Sequence, residues 1–381
     1  MKQRKATREQ LKQHNRQLVL NAIYSGLADN RAALAAETGL AKPTVSDLVS
    51  ELIDEGLLVE VGRGEAAKSG GKRPRLLEFV PDARHVIGVS VTEHQMEQCI
   101  QAVLANLDGR VLAEHEYFYP VEEPETILDN LISVINGLVA QLDAPLLCVG
   151  LGLPGKLKVN SAVLTDTLVA QYDVPVYVEN NTELAATALY AFGQDDECLS
   201  DSDSDGKAHG LVTVLINHHV EIGYILGDGV YHNGGSIGEL EIVPGQTLES
   251  QLGWAAVKKR ALALRERYGS TLPEENLLYL HVRRAMTYGD EAALILHQEL
   301  VDVLSPMLAW IIGLLRPQQI SLAGGIVDLG AELLHAVEQK TRHLIDSEGI
   351  VFSLAEDDRG SGNLSARGAV AEAVKQELGL W

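Results

Sequence analysis

Residues 30–56, NRAALAAETGLAKPTVSDLVSELIDEG, decide what the N-terminal part of the chain is. Asn30 can cap a helix that starts at Arg31, because a short carboxamide reaches the unpartnered N–H groups of a first turn. Leu34 between alanines gives that helix an inner face, and Gly39 is the residue best able to take φ > 0 in a tight turn. A second helix runs from about Lys42-Pro43 to Glu55, with proline tolerated in its first turn and Gly56 ending it. Two short helices joined by a Gly-containing turn form a helix-turn-helix, with Leu34, Ala35, Leu40, Val45, Leu48, Leu52 and Ile53 facing inward. An earlier helix from Glu9 to Tyr24, with Leu11, Leu18, Val19, Ala22 and Ile23 at helical spacing, completes a three-helix unit.

Working outward, Leu57 to Gly62 reads as a strand, Arg63 to Arg75 as a Gly-rich cationic loop, and Leu76 to Val80 as a returning strand. That is a wing. Its segment Gly71-Lys72-Arg73-Pro74-Arg75 resembles the Gly-Arg-Pro core with which small arms enter an AT-rich minor groove. Double-stranded DNA is therefore the expected partner. Lys42, Thr44, Ser46 and Ser50 are expected in a major groove, and Arg63, Lys72, Arg73 and Arg75 on phosphates or in a minor groove; Arg31 joins this set. Asp47 is an exception on that helix, since a carboxylate can read cytosine but repels the backbone. The helical pattern alone also admits a plain three-helix subdomain without a ligand.

Charge at first argues the other way. The 381 residues carry 31 basic and 53 acidic side chains, a formal net of −22, and an acidic protein repels a polyanion. Residues 1–80, however, hold 13 Lys/Arg against 10 Asp/Glu, while residues 81–381 hold 18 against 43. The chain is a weakly basic reader attached to a strongly acidic body. With 46% hydrophobic residues it is not a disordered chain, and three scattered cysteines, Cys99, Cys148 and Cys198, exclude a disulfide scaffold and fit a reducing cytoplasm. Met1-Lys2-Gln3-Arg4-Lys5 is followed by polar sequence, so export is not expected, and the apolar run Leu304–Leu315 falls short of the ~20 residues of a membrane span.

Beyond Pro81 strands and helices alternate. Val86–Val91, Gln98–Asn106 and Arg110–Ala113 read as a meander, and Leu146–Leu153 as a strand buried on both faces. Further strands are expected at Val176–Glu179, Leu211–Ile216 and Ile320–Leu322. Helices are expected at Ile127–Leu142, Thr182–Phe192, Glu249–Tyr268, Glu291–Leu315 and Ala366–Leu378. An α/β body of two lobes follows.

The order of motifs resembles the ROK family of repressors and sugar kinases: the winged helix-turn-helix, Gly150-Leu151-Gly152-Leu153-Pro154-Gly155, Val178-Glu179-Asn180-Asn181, Gly234-Gly235-Ser236-Ile237-Gly238-Glu239, Leu248-Glu249 and Leu322-Ala323-Gly324-Gly325-Ile326. The resemblance implies a winged helix-turn-helix at 1–82, followed by an actin-like (ribonuclease H-like) sugar-kinase-type body. Its first lobe spans 83–190, with the C-terminal helix of about 365–381 packed back on it, and its second lobe spans 191–364. It implies a cytoplasmic homodimer or higher homo-oligomer that represses carbohydrate-related genes. A sugar or sugar-phosphate effector would be contacted by Asn180, Asn181, Glu239 and Glu249.

Departures from the family pattern limit what carries over. Gly88-Val89-Ser90-Val91-Thr92-Glu93 lacks the glycine pair of a first phosphate loop. Asn217-His218-His219-Val220-Glu221 is bulky and partly acidic where the second should be, and Asn181 stands where the kinases place a catalytic Asp. No enzyme activity and no cofactor are expected. The family's zinc-binding His should fall near Ile242 and its cysteines before Leu248, so no zinc is expected either. Asp201-Ser202-Asp203-Ser204-Asp205-Gly206 copies half of a calcium loop, but Val212 at the twelfth position supplies no carboxylate, and an acidic surface loop is the better reading. His218-His219 reads as a polar loop rather than a metal site. Two alternatives stay open: a sugar kinase with a DNA-binding appendage, and a regulator controlled by a protein partner.

Overall fold

The computed structural model describes residues 8–64, 73–94, 97–119, 127–155, 160–192, 210–226, 229–230, 235–355 and 364–380. The half calcium loop, Lys72 and Gly234 lie outside them.

Helices α1 (Arg8–Tyr24), α2 (Arg31–Thr38) and α3 (Lys42–Asp54) form the helix-turn-helix. The Asn30 side chain accepts from the N–H groups of Ala32 and Ala33, worth ~1 kcal/mol as a cap. Gly39 takes φ 69° and turns the chain toward α3. Leu34, Val45, Val49 and Leu52 are fully buried, each stabilising the unit by about 1.5–3 kcal/mol. Antiparallel strands β1 (Leu58–Arg63) and β2 (Arg75–Phe79) make the wing. They are knitted to the helices by Leu77 N–H on Asp29 O (2.8 Å) and Val80 N–H on Leu57 O (3.0 Å).

The next sheet holds β3 (His85–His94), β4 (Glu97–Asn106), β5 (Val111–Tyr119), β6 (Leu146–Leu153) and β7 (Val176–Asn180), in the order β5-β4-β3-β6-β7. The first three strands form an antiparallel meander, and β6 and β7 join in parallel. Strand alternation sorts β3 and β6 between two cores. Ile87, Val89, Val91, Val149 and Leu151 face helices α4 (Ile127–Val139) and α5 (Ser161–Tyr172). Val86 and Cys148 face the other way, with Gly88, Gly150 and Gly152 between them.

That second face receives α12 (Leu364–Leu378). A Cβ on Gly88 would lie 2.0 Å from Ala366 O, and one on Gly150 2.1 Å from Ala369 O. The far side of α12 lies on α6 (Asn181–Phe192), where a Cβ on Gly368 would lie 1.8 Å from Leu184 O. The C-terminal end of α12 reaches the reader: Gln13 Nε2 donates to Glu377 O (3.1 Å) and Gln17 Nε2 to Gln376 O (3.3 Å). These side chains satisfy carbonyls that a helix end leaves without partners. One apolar cluster therefore runs from Val19, Leu34 and Leu52 through Val86 and Val103 to Val374, Leu378 and Leu380.

The second lobe is a sheet of β8 (Leu211–Ile216), β9 (Val220–Leu226), β10 (Gln319–Ala323) and β11 (Val351–Leu354), with two-residue strands at the β9 edge. Its helices are α7 (Leu248–Leu252), α8 (Trp254–Tyr268), α9 (Tyr279–Thr287), α10 (Glu291–Leu315) and α11 (Ala331–Leu344). Helix α10 has the length and apolarity to cross a membrane, but Leu296, Leu300, Leu304 and Leu308 are fully buried in the core of this lobe.

Several expectations need correction. The single helix expected over Glu249–Tyr268 breaks at Gly253, where Trp254 N–H is drawn to Asn217 O (2.8 Å). The third meander strand continues to Tyr119, and β9, β11, α5, α9 and α11 were not anticipated. Strand β9 starts at Val220, so the presumed loop is a tight hairpin around Asn217–His219.

Gly368→Ala should lower stability by about 2–3 kcal/mol, because backbone rather than a flexible side chain occupies the space. Gly137→Ala in α4, whose new Cβ would meet nothing nearer than 3.9 Å, should raise it by ~0.5–1 kcal/mol. Urea unfolding of the two variants reads both signs.

Candidate nucleic-acid interface and effector cleft

Helix α3 presents Lys42, Ser46 and Ser50 at four-residue spacing, one side of a helix. Lys42 and Ser50 are exposed and Ser46 partly so. Ser50 Oγ donates to Ser46 O (2.9 Å), so toward a base edge its hydroxyl offers lone pairs. Thr44 does not share that side. It lines a groove of about 870 Å³ with Asp47 and Glu51, facing Arg8, Leu11, Lys12 and Asn15 of α1. Across the same pair of helices Lys12 meets Glu51 at 2.8 Å and Arg16 pairs with Glu55.

In the wing Arg63 stands opposite Arg75, and Gly64 N–H on Pro74 O (2.9 Å) closes the root of the loop. Arg73 is exposed. Arg31 and Arg75, expected as separate DNA contacts, are brought together on Glu60: Arg31 Nη1 lies 2.8 Å from Oε1, and Arg75 Nη1 bonds Oε2. The two guanidiniums, Arg75 first, hold the Glu60 carboxyl below the usual carboxylate range. Nothing in the sequence spacing of these three residues signalled the cluster.

The reader is set on the first lobe by Tyr24, whose hydroxyl donates to Asp108 Oδ1 (3.0 Å), and by Arg84 Nη2, which donates to Glu55 O (2.9 Å). Burial and the Asp108 carboxylate push the Tyr24 phenol well up, so it stays a donor.

Where the two lobes meet, Thr92, Pro154, Asn181, Asn217, His218, His219 and Glu221 line a void of about 20 Å³, room for about one water. Asn181, expected on an effector, is 2% exposed; its Nδ2 donates to Val91 O (2.7 Å), and Ser365 Oγ of α12 donates to its backbone carbonyl (2.9 Å). The Asn180 side chain accepts from Thr182 N–H (2.7 Å) and so caps α6. Glu239 is exposed, and Glu249 lies beside the neighbouring Gly238. Glu249 Oε2 is 3.1 Å from His219 Nδ1, and Glu221 Oε2 accepts from Thr182 Oγ1 (3.0 Å). His219 and Glu221, which the sequence places where a second phosphate loop should be and reads as a polar loop, thus lie at the cleft, although nothing in their spacing pointed to Glu249 or Thr182 as partners.

Asn217 Oδ1 accepts from Gly325 N–H (2.7 Å), within the segment Leu322–Ile326. Ile242, where a zinc-binding His would fall, packs against the second-lobe core, and Leu248 is buried, so these residues do not suit a zinc site. Among the described residues no group of three or more His, Cys, Asp or Glu side chains is arranged to hold a metal ion.

No family model matches the chain. Over 228 residues it is 29% identical to the xylose repressor of Bacillus subtilis (strain 168), a match covering 55% of this chain and 57% of that protein's length. Over 360 residues it is 26% identical to the DNA-binding transcriptional dual regulator NagC of Escherichia coli (strain K12), covering 86% of this chain and 84% of that one. In structure it is similar to a ROK family transcriptional regulator described as a homolog of the E. coli MLC protein, with TM-score 0.76, 21% identity, and 97% and 98% of the two chains covered. A ROK family glucokinase from Streptomyces griseus, solved with glucose and AMPPNP, matches at TM-score 0.62 and 20% identity over 75% of this chain and 98% of its own.

Asn181→Asp should destabilise the fold by about 1–3 kcal/mol at neutral pH, because a carboxylate cannot donate to Val91 O and would face it buried. Burial raises a folded-state carboxyl pKa, so the penalty should be small in acid, where the protonated group can donate. It should grow as pH rises through the unfolded carboxyl range. Urea titrations across pH read the sign.

Proposed function

We propose that the chain is a ROK family transcriptional regulator, a sequence-specific DNA-binding repressor of carbohydrate-related genes, on its likeness in sequence to the xylose repressor and NagC and in fold to a ROK family regulator. Residues 1–82 are the reader and residues 83–381 an acidic body, a lobed effector and dimerisation domain without kinase activity. The observation that carries this reading is the winged helix-turn-helix itself: Lys42, Ser46 and Ser50 on one side of α3, with Arg31, Arg63, Arg73 and Arg75 grouped at the wing. Lys72 belongs to the same set, and Thr44 contacts the duplex from the edge of its groove.

The charge split supports the same geometry. A body carrying 43 acidic against 18 basic residues is repelled by DNA, so the duplex is approached through the reader. A homodimer would present two readers to a two-fold related operator in the cytoplasm.

Two side chains support the absence of catalysis. Asn181 offers an amide where a base would be needed, and Asn217 occupies Gly325 N–H. An effector would enter between the lobes, with Glu239, Glu249 and His219 as its polar contacts and Asn180 and Asn181 at its floor.

Binding to genomic fragments, measured against random DNA as salt rises, tests the reading; no preferred fragment would end it. Hexose-dependent ATP consumption by the purified chain would overturn the absence of catalysis. Arg73→Ala should weaken binding to all duplexes and reduce the slope of log K against log salt by about 1. Ser46→Ala and Ser50→Ala should instead alter base preference by ~1–3 kcal/mol at the positions they face.

A further inference from the structure

We propose that Glu60 is a positioning residue of the reader: its carboxylate holds Arg31 of α2 and Arg75 of the wing as one fixed pair, so that two cations from separate elements meet phosphates together. This rests on the DNA-binding reading above. A chain that needed only positive charge at a phosphate-facing surface would do better without a carboxylate there, since it repels the backbone. Here the carboxylate bridges instead: Oε1 takes Arg31 and Oε2 takes Arg75.

The local backbone serves this arrangement. The register of the wing shifts between Glu60 and Gly62, a bulge that inserts Val61 and re-aims the neighbouring side chains. Arg75 also faces Arg63 across the hairpin, and a shared carboxylate offsets that like-charge pairing. On α2 the N–H groups of Ala32 and Ala33 are already taken by Asn30, so the Arg31 guanidinium is what that helix start offers an anion. Each guanidinium has five N–H donors and commits one nitrogen to Glu60. The remaining donors stay available, with the Arg75 side chain 63% exposed and that of Arg31 31%. A pair whose orientation is set before binding loses less freedom on the duplex than two independent long side chains.

The test uses the full chain, the tightest duplex recovered by in-vitro selection with the wild-type protein, and a scrambled duplex of equal length. Glu60→Gln, nearly isosteric, should weaken the selected duplex about tenfold, ~1.4 kcal/mol, while the scrambled duplex binds as well or better. Glu60→Asp keeps the charge but is one methylene shorter, and should lose preference as well. In an Arg31→Gln/Arg75→Gln background Glu60→Gln should change the selected-duplex affinity no further, because Glu60 acts through those two residues. Thermal unfolding checks that each variant is folded. Tighter binding of both duplexes by Glu60→Gln would reduce Glu60 to a repelling charge. An equal loss in the arginine-free background would mean that it acts on its own. Either result overturns the inference and leaves the DNA-binding reading standing, as would unchanged preference in Glu60→Gln. A wild-type chain that prefers no duplex overturns the function and the inference with it.

Discussion

The structure depends on how closely α12 approaches its neighbours. A helix backbone lies against β3 and β6 because Gly88 and Gly150 carry no side chain on that face, and against α6 because Gly368 carries none on the other. Ala366, Ala369, Ala371 and Ala373 line the same helix, which is buried along most of its length. Such a fit is made by shape, and packed interiors tolerate little added volume. It brings the last helix of the chain against the first lobe, the floor of the cleft and the reader at once. Ser365 at one end bonds the carbonyl of Asn181, while the other end is capped by Gln13 and Gln17 of α1.

Glycines of this kind invite a second reading. In a sugar-kinase-like body a glycine at a strand suggests a backbone that approaches phosphate. Gly88 and Gly150 approach a helix instead. Asn181, where the kinases place a catalytic Asp, donates to Val91 O, and Asn217, in the place of the second phosphate loop, accepts from Gly325 N–H. The Asn181 amide can donate to Val91 O, which a carboxylate, acceptor only, cannot do.

Much of this was legible in the chain. Asn30, Gly39 and Pro43 mark the helix-turn-helix because capping and turn chemistry are local, and all three act as expected. The run Leu146–Leu153 betrays a strand buried on both faces, with its glycines and Cys148 on one side and Val149, Leu151 and Leu153 on the other. Helix α5 escaped because its apolar residues lie all round it, so that packing in the body decides it. Helices α9 and α11 instead carry a helical period that was there to be read, with Tyr279, Val282 and Ala285 on one side of α9 and Leu333 and Val337 on one side of α11. The break at Gly253 escaped for another reason. It is pulled by Asn217, thirty-six residues away, and no window centred on 249–268 contains that partner.

By itself the sequence determined the helix-turn-helix and its wing, the charge division at residue 80, the two-lobed α/β body and the residue types that depart from the kinase pattern, because each is carried by residue type and short spacing. Only the tertiary structure decided that Arg31 and Arg75 share Glu60, that Thr44 turns away from Lys42, Ser46 and Ser50, that His219 meets Glu249, and that Asn181, Asn217 and Glu221 line one small void. These are meetings between elements far apart in the chain. Helical period and strand alternation say which way a side chain faces, but what it faces is set by the packing of backbones such as α12 on Gly88, Gly150 and Gly368.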